Sequence, residues 1–555
     1  MNKCLQVPEI LHLICNELPN RAPDDSKRLL AVALSCRALL EPGLDRLWHT
    51  IFSLKPMIST LPTDLLKTTK ELVTGRWIFS VLSLCRGITP ADLGRYTAYY
   101  APRIRDVEIV SLPETFCQET WQGIQLATSG KHGALSPEAW QVTWALPAHK
   151  LRGLRDESLD QTYAFFSLFV GPRATSLQLA FKSDNPTHVA SIRNATAIPT
   201  SLKELVLMDF SPIASNSSYF MTFIQSNAWC NLESLDFEHL PADAIPHLST
   251  LPHLSTLKIR NLENIPPIHA YCQETLEIPP PYLAEISTTA FQCLKILKLS
   301  SSKIDNFNGF LQRLPPKNQI HTLKCFLETA DSGSGGAVER LLFTIHAHCN
   351  PQNLRTLVIR GSLGARDEQE HLEAWANLGI ELDPLYKFSR LEILSLNPLT
   401  NINLNPRDIQ NIIEHFPRLV KLKVDHNVFD SRISLLNHTH FLQLLYKLPH
   451  LKKLGLRFNA TEAGEFPSES RDRAVLVDLA IDGELKRSQL VKLWVGDSPI
   501  YSPTSVAKFF EEHCPKLRME NVFTLSRSGY HLDTVVKMYR RRWNAVKDYI
   551  VYAPP

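Results

Sequence analysis

Between residues 104 and 522 the chain returns repeatedly to one spacing of apolar positions, first, fourth and sixth in a run of six. It reads "LKELVL" from Leu202, "LESLDF" from Leu232, "LSTLKI" from Leu254, "LKILKL" from Leu294 and "IHTLKC" from Ile320. It continues as "LRTLVI" from Leu354, "LEILSL" from Leu391, "LVKLKV" from Leu419, "LKKLGL" from Leu451 and "LVKLWV" from Leu490. Looser copies stand at "IRDVEI" from Ile104, "LRGLRD" from Leu151, "ATSLQL" from Ala174 and "LRMENV" from Leu517. The fourth and sixth positions fall on one side of an extended strand, so the pattern predicts fourteen short strands. Between them, "QNIIEHFP" (410 to 417), "HFLQLLYKLP" (440 to 449) and "VAKFFEEHCP" (506 to 515) carry apolar residues at helical intervals and stop at a proline.

One unit is therefore a strand, a loop and a helix, too small to bury its own leucines, so units must stack. Twelve intervals between Leu151 and Leu517 average about 30 residues, near the period of leucine-rich repeats with helices in the connections. The expected fold is α/β, a leucine-rich-repeat solenoid: a horseshoe of short parallel strands backed by helices. Asn after the strand occurs only at Asn427 and Asn459, which favours the helix-rich variety. The widest interval, Leu254 to Leu294, contains Pro279 to Pro281 and reads as an insertion loop; "SPIASNSSY" (211 to 219) and "DSGSGG" (331 to 336) read as surface excursions.

The N-terminus follows a different pattern, three short helices. "LQVPEILHLICNEL" (5 to 18) places Ile10, Leu11, Ile14 and Leu18 on one face, widened by Leu13 and Cys15. "DDSKRLLAVALSCRALL" offers Asp25 or Ser26 as N-cap and gathers Leu29, Leu30, Val32, Ala33 and Cys36. A third helix restarts after Pro42 with Leu44, Leu47, Trp48 and Ile51 in phase. So small a module needs outside support, and the first helix has more apolar surface than one neighbour covers. The expected organisation is a helical module over 1–66, a helical linker or cap over 67–103, the solenoid over 104–530, and a capping helix and tail over 531–555. In that last helix Val535, Tyr539, Trp543 and Val546 form the inner face, with Arg540 to Arg542 solvated.

Composition narrows the function. With 59 basic against 56 acidic residues, a net charge of +3 exerts no global pull toward nucleic acid or membrane. Eleven cysteines without a CxxC pair point to a reducing compartment, cytoplasm or nucleus. The longest apolar run, "AFFSLFV" (164 to 170), is too short to span a bilayer, and no secretory leader is expected. No phosphate loop, nucleophile elbow, HExxH or dinucleotide motif is present. His346, His348 and Cys349 lack a fourth zinc ligand, as do His438 and His440. No cofactor, metal or catalysis is expected.

The order Val7-Pro8-Glu9-Ile10-Leu11, Leu29-Leu30, Ser35-Cys36-Arg37 and Glu41-Pro42-Gly43-Leu44-Asp45-Arg46-Leu47-Trp48 resembles an F-box, in the version found in fungal F-box proteins with leucine-rich repeats. Residues 87 to 110 and 151 to 181 resemble the segments that begin the repeat array in such proteins. The resemblance implies a substrate-receptor subunit of a cullin-RING ubiquitin ligase, non-catalytic itself. Its helices would dock on the ligase adaptor through Leu5, Val7, Pro8, Glu9, Ile10, Leu11, Ile14, Leu29, Leu30, Cys36, Leu47 and Trp48. The alternative is a leucine-rich-repeat interaction scaffold whose first helices only seal the array.

The polar positions of the repeats then suggest what the solenoid holds. Those of the repeats from Leu202 and Leu232 carry Lys203 against Glu204, Glu233, Asp236 and Glu238. The eight from Leu254 to Leu490 carry thirteen basic residues against Glu392 and Asp425. Lys258, Arg260, Lys298, Lys324, Arg360, Lys421, Lys423, Lys453 and Arg457, with Trp494, form the candidate substrate surface, suited to an acidic or phosphorylated protein segment. Lysines that only guard solvated strands are the competing reading. Nucleic acid is not expected, because Phe326 and Trp494 are the only aromatics interleaved.

Overall fold

A computed structural model describes residues 7–20, 23–73, 77–109, 114–144, 163–197, 199, 201–211, 223–225, 229–240, 242–263, 265, 290–315, 318–328, 336–361, 380–397, 402, 404–424, 434–463, 488–518, 522–524 and 534–552. The chain forms two compact units, 1–254 and 255–555. The expected excursions at 212–219, 279–281 and 331–335 lie outside the described residues, as does "LRGLRD".

In the first unit the three N-terminal helices span Pro8–Glu17, Pro23–Ser35 and Arg37–His49. Leu11, Cys15, Leu29, Ala33 and Trp48 are buried. Gly43 is required where the second and third helices meet: a Cβ there would stand 2.5 Å from that of Ala33. Three local expectations need correction. The third helix runs through Pro42 instead of restarting after it. Cys36 is extended, at φ −157, as the N-cap of the third helix, not part of the second. The second helix begins at Pro23, with Asp24 and Asp25 in its first turn, where they complement the helix dipole, while Ser26 donates to Asn20.

The third helix leads straight into the strand Thr50–Ile51, which pairs in parallel with Asp106–Ile109. Trp48 stacks on Tyr100 at 4.4 Å, and the Arg103 guanidinium reaches both Glu41 and Asp45. The linker expected to be helical over 67–103 is helical only in its second half, from Pro90. Before that, Leu66–Val73 and Trp77–Leu84 form an antiparallel hairpin, joined in parallel by Glu114–Phe116. Thr68, Thr69, Val73, Ile78 and Val81 are β-branched, which suits strands.

Fifteen parallel strands backed by helices carry the rest. Six belong to the first unit: Thr50–Ile51, Asp106–Ile109, Gln141–Trp144, Ser176–Phe181, Glu204–Asp209 and Ser234–Leu240. Nine belong to the second: Thr256–Leu262, Ile296–Ser301, Thr322–Leu327, Thr356–Gly361, Ile393–Asn397, Lys421–Val424, Lys453–Gly455, Lys492–Gly496 and Val522–Thr524. The leucine spacing marks all of them except Thr50–Ile51 and Gln141–Trp144. In the latter Ala139, Val142 and Trp144 occupy the three apolar places, and all are buried. In the second unit Leu257, Leu297, Leu323, Leu357, Leu394, Leu422, Leu454, Leu493 and Val522 align across successive strands in one fully buried row. Burying such a side chain contributes roughly 1.5–3 kcal/mol, so this row fixes the register.

Helices back the strands and start on explicit caps. Asn405 and Asp408 box the start of Pro406–His415, Asn437 and His440 that of His438–Lys447, and Ser502 caps Pro503–His513. Asn306 closes a loop, donating to Leu262 O and Ser301 while accepting from Ile265 N. His440 is thus committed to a cap, and His346 Nδ1 lies 2.7 Å from Pro384 O. Among the described residues no group of His, Cys, Asp and Glu could hold a metal, and no helix is long and apolar enough to cross a membrane. The C-terminal helix spans Thr534–Tyr552; Trp543 and Val546 are buried, whereas Val535 is exposed, not part of an inner face. The Trp543 indole donates to Ser498 O at 2.8 Å and packs by Phe458 and Phe510.

Candidate functional site

Two surfaces collect the candidate residues, one in each unit. On the N-terminal helices, Leu5 lies outside the described residues. Leu11, Leu29 and Trp48, expected on a docking surface, are buried within the first unit as the core that holds the helices together. Ile10, Cys36 and Leu47 are half-buried. Val7, Pro8, Glu9, Ile14 and Leu30 are exposed. Leu13 and Leu34, at 64% and 67%, are the most exposed apolar residues of these helices. Leu30 and Leu34 are four apart and share a helical face, as Leu29 and Ala33 share the buried one. Sequence reading merged the two faces because leucines crowd both; the buried pairs Leu11/Cys15 and Leu29/Ala33 separate them.

The second surface is the strand face opposite the leucine row. Register places Lys258, Lys298 and Lys324 side by side on three consecutive strands, then Val358, Ser395, Lys423, Gly455, Trp494 and Phe523. Lys421, Lys453 and Lys492 align two residues earlier, and Arg360 stands between Phe326 and Asn397 two residues later. Arg260 is half-buried in the same strand as Lys258. Arg457 does not belong to an open surface: it is buried and pairs with the buried Asp497 at 2.8 Å. Of the two acidic exceptions, Glu392 faces Arg355 at 3.7 Å and Asp425 is outside the described residues. In the first unit the acidic set is partly engaged, Glu233 with Lys203 at 2.9 Å and Glu204 with the Ser176 hydroxyl.

The positive charges press on one another. Burial, then Lys421, Arg360, Lys453 and Lys492, push the Lys423 ammonium down to about 7. Lys421 is lowered by burial and by Arg360, Lys453 and Lys324; Lys324 by burial and by Lys298 and Arg360. Lys423 crosses the position of Gly455, which has no side chain to obstruct it, and sets its Nζ 3.0 Å from the centre of the Trp494 ring. Trp494 in turn stacks on Phe523 at 5.1 Å. Beside Lys423, Ser395 is fully buried and its hydroxyl makes no hydrogen bond among the described residues. Such a cluster attracts anions; it contains no paired nucleophile and base. The register, the Gly455 gap and Ser395 were not read from the sequence, although "LEILSL" beside "LVKLKV" and "LKKLGL" held them in aligned columns.

Compared with models of protein families and with curated proteins, the chain matches none.

Proposed function

We propose that the chain is a substrate-receptor subunit of a cullin-RING ubiquitin ligase, docking on the adaptor with its first two helices and holding an acidic or phosphorylated protein segment on its basic strand face. The observation that carries this reading is the exposed apolar surface of Val7, Leu13, Ile14, Leu30 and Leu34 on helices whose buried sides are already occupied. Exposed apolar residues on both of these helices support an interaction surface. The resemblance of residues 7 to 48 to an F-box names the partner, and the basic face supplies a separate place for a substrate.

The scaffold reading also has an observation in its favour. The strand Thr50–Ile51 pairs with the first repeat strand, which supports a module that seals the array. Sealing, however, uses the buried sides and leaves the exposed leucines without a task. The test is co-purification with the adaptor. Leu11 is core, so its truncation would unfold the module; Ile14→Asp with Leu34→Asp instead places a charge at an exposed position on each of the first two helices. We expect this double variant to lose adaptor binding by more than about tenfold, equivalent to about 1.4 kcal/mol, with an unchanged melting temperature. Full binding by a folded double variant would leave the scaffold reading standing.

A further inference from the structure

We propose that Lys423 is a carbamylation site: its side-chain amine captures carbon dioxide, and the resulting carbamate lies among Lys421, Lys453 and Lys492 with the Ser395 hydroxyl donating to it. The inference goes beyond the reading of the strand face as a capture surface and needs neither a substrate nor the adaptor.

Geometry comes first. Lys423 is buried, and its Nζ lies over the face of the Trp494 ring, a weak substitute for a counter-ion. Among the described residues, none of Lys421, Lys423, Lys453, Lys492 and Arg360 pairs with a carboxylate. Buried charges are ordinarily paired, so this one is an exception that calls for a cause. Register sets Ser395 beside Lys423 on one strand and Gly455 beside it on the other, with neighbouring strands about 4.8 Å apart. Lys421, Lys453 and Lys492 form a row two residues earlier on the same face. The Ser395 hydroxyl is the second, independent sign. It is fully buried and has no hydrogen-bond partner among the described residues, a donor without an acceptor. The place thus gathers cations and a free donor around one buried amine and lacks an anion.

Chemistry comes next. Carbon dioxide reacts with an amine only in its neutral form. Burial, with Lys421 on the same strand and Arg360, Lys453 and Lys492 on others, brings the Lys423 ammonium down to about 7. At that pH about half of the side chain is free amine, about a thousandfold more than for a lysine that titrates at about 10.4. The nitrogen lone pair adds to the carbon of carbon dioxide, one C–O π bond becomes an oxygen lone pair, and one N–H proton leaves to water. No oxidant, reductant or cofactor is consumed. A carbamate anion then stands where an ammonium stood, and its two oxygens accept charge-assisted bonds from the neighbouring lysines and a bond from Ser395. Other electrophiles answer the site less well: an acyl group leaves a neutral amide, and an aldehyde adduct leaves a basic nitrogen. The carbamate inverts the charge, and every charged group facing Lys423 is cationic and favours that product.

The experiment equilibrates the full chain at about pH 7 with carbon-13 bicarbonate and carbon dioxide, fixes carbamates by O-alkylation with a trialkyloxonium salt, and locates them by mass spectrometry. Lys423 should carry the trapped group at least about tenfold more than the exposed Lys27. Purging with argon before the trap should remove it, and occupancy should fall as the pH drops below about 7 and the amine is protonated. Ser395→Ala should lower occupancy several-fold, and Lys421→Gln with Lys453→Gln about tenfold. At fixed pH, carbon dioxide should raise the melting temperature of the wild type and leave that of Lys423→Met unchanged. Should the Lys421 and Lys453 double variant not fold, the wild-type adduct and its loss on purging decide. No adduct at Lys423 under saturating carbon dioxide, labelling no greater than that of Lys27, occupancy indifferent to both Ser395→Ala and the double variant, or an equal melting response in Lys423→Met overturns the proposal. A chain that carries the carbamate and binds no adaptor defeats the docking alone and leaves this inference standing.

Discussion

Lys423 shows how much one side chain can disclose. Its ammonium is held near 7 by burial and by Lys421, Arg360, Lys453 and Lys492 on its own and neighbouring strands, with Trp494 beneath it. An unfolded lysine titrates at about 10.4, so between about 7 and that value the unfolded chain binds more protons than the folded one, and the destabilisation from this group shrinks as pH rises. Below about 7 the penalty is fully present. Lys423→Met removes it. The melting temperature of that variant should therefore exceed the wild type's most near pH 6 to 7, with the difference shrinking toward pH 10 in a thermal denaturation series. A constant difference across that range would show that Lys423 is not perturbed by its surroundings. From sequence alone, Lys423 was one of thirteen similar cations. Its burial depends on Gly455 and Trp494, which come from two later repeats and meet it only through strand register.

At the scale of the element, the leucine spacing made the repeat strands legible because each buried position serves the same role on every strand. It failed at Gln141–Trp144, where Ala139 and Trp144 fill the same space with different side chains. The hairpin Leu66–Val73 and Trp77–Leu84 was missed for another reason: it belongs to no repeat and pairs antiparallel. On the N-terminal module, the helices were legible but not their faces. Leu11 and Leu29 are core and Leu13 and Leu34 open, a distinction set by which neighbour each helix meets. A connection between repeats shows how little tolerance some elements have. Gly133 has φ +67, and a Cβ there would stand 2.4 Å from the Gly171 Cα. Gly133→Ala should cost about 2 kcal/mol or more from positive φ and backbone overlap together, read as a lowered denaturation midpoint. Gly130→Ala, also at positive φ but with no heavy atom nearer than 4.0 Å, should cost less.

Across the molecule, stacked units depend on their ends. The helix Thr534–Tyr552 brings Trp543 against Phe458 and Phe510 and joins Arg542 to Ile500 O at 2.9 Å. Terminal caps in repeat proteins cover apolar surface that a further repeat would otherwise bury. Trp543→Ala should destabilise the second unit by about 3–5 kcal/mol and raise binding of a hydrophobic dye, followed by thermal melting and dye fluorescence. The other end is fastened by different means. Helix Arg37–His49 passes into strand Thr50–Ile51 without an intervening linker, Trp48 rests on Tyr100, and Arg103 holds Glu41 and Asp45. Mechanically this is a bracket and not a tether. Chain continuity, a ring stack and two ion pairs all tie the third helix to the segment that begins the strands. In the proposed complex, a partner holding Leu13 and Leu34 would by the same act orient those strands.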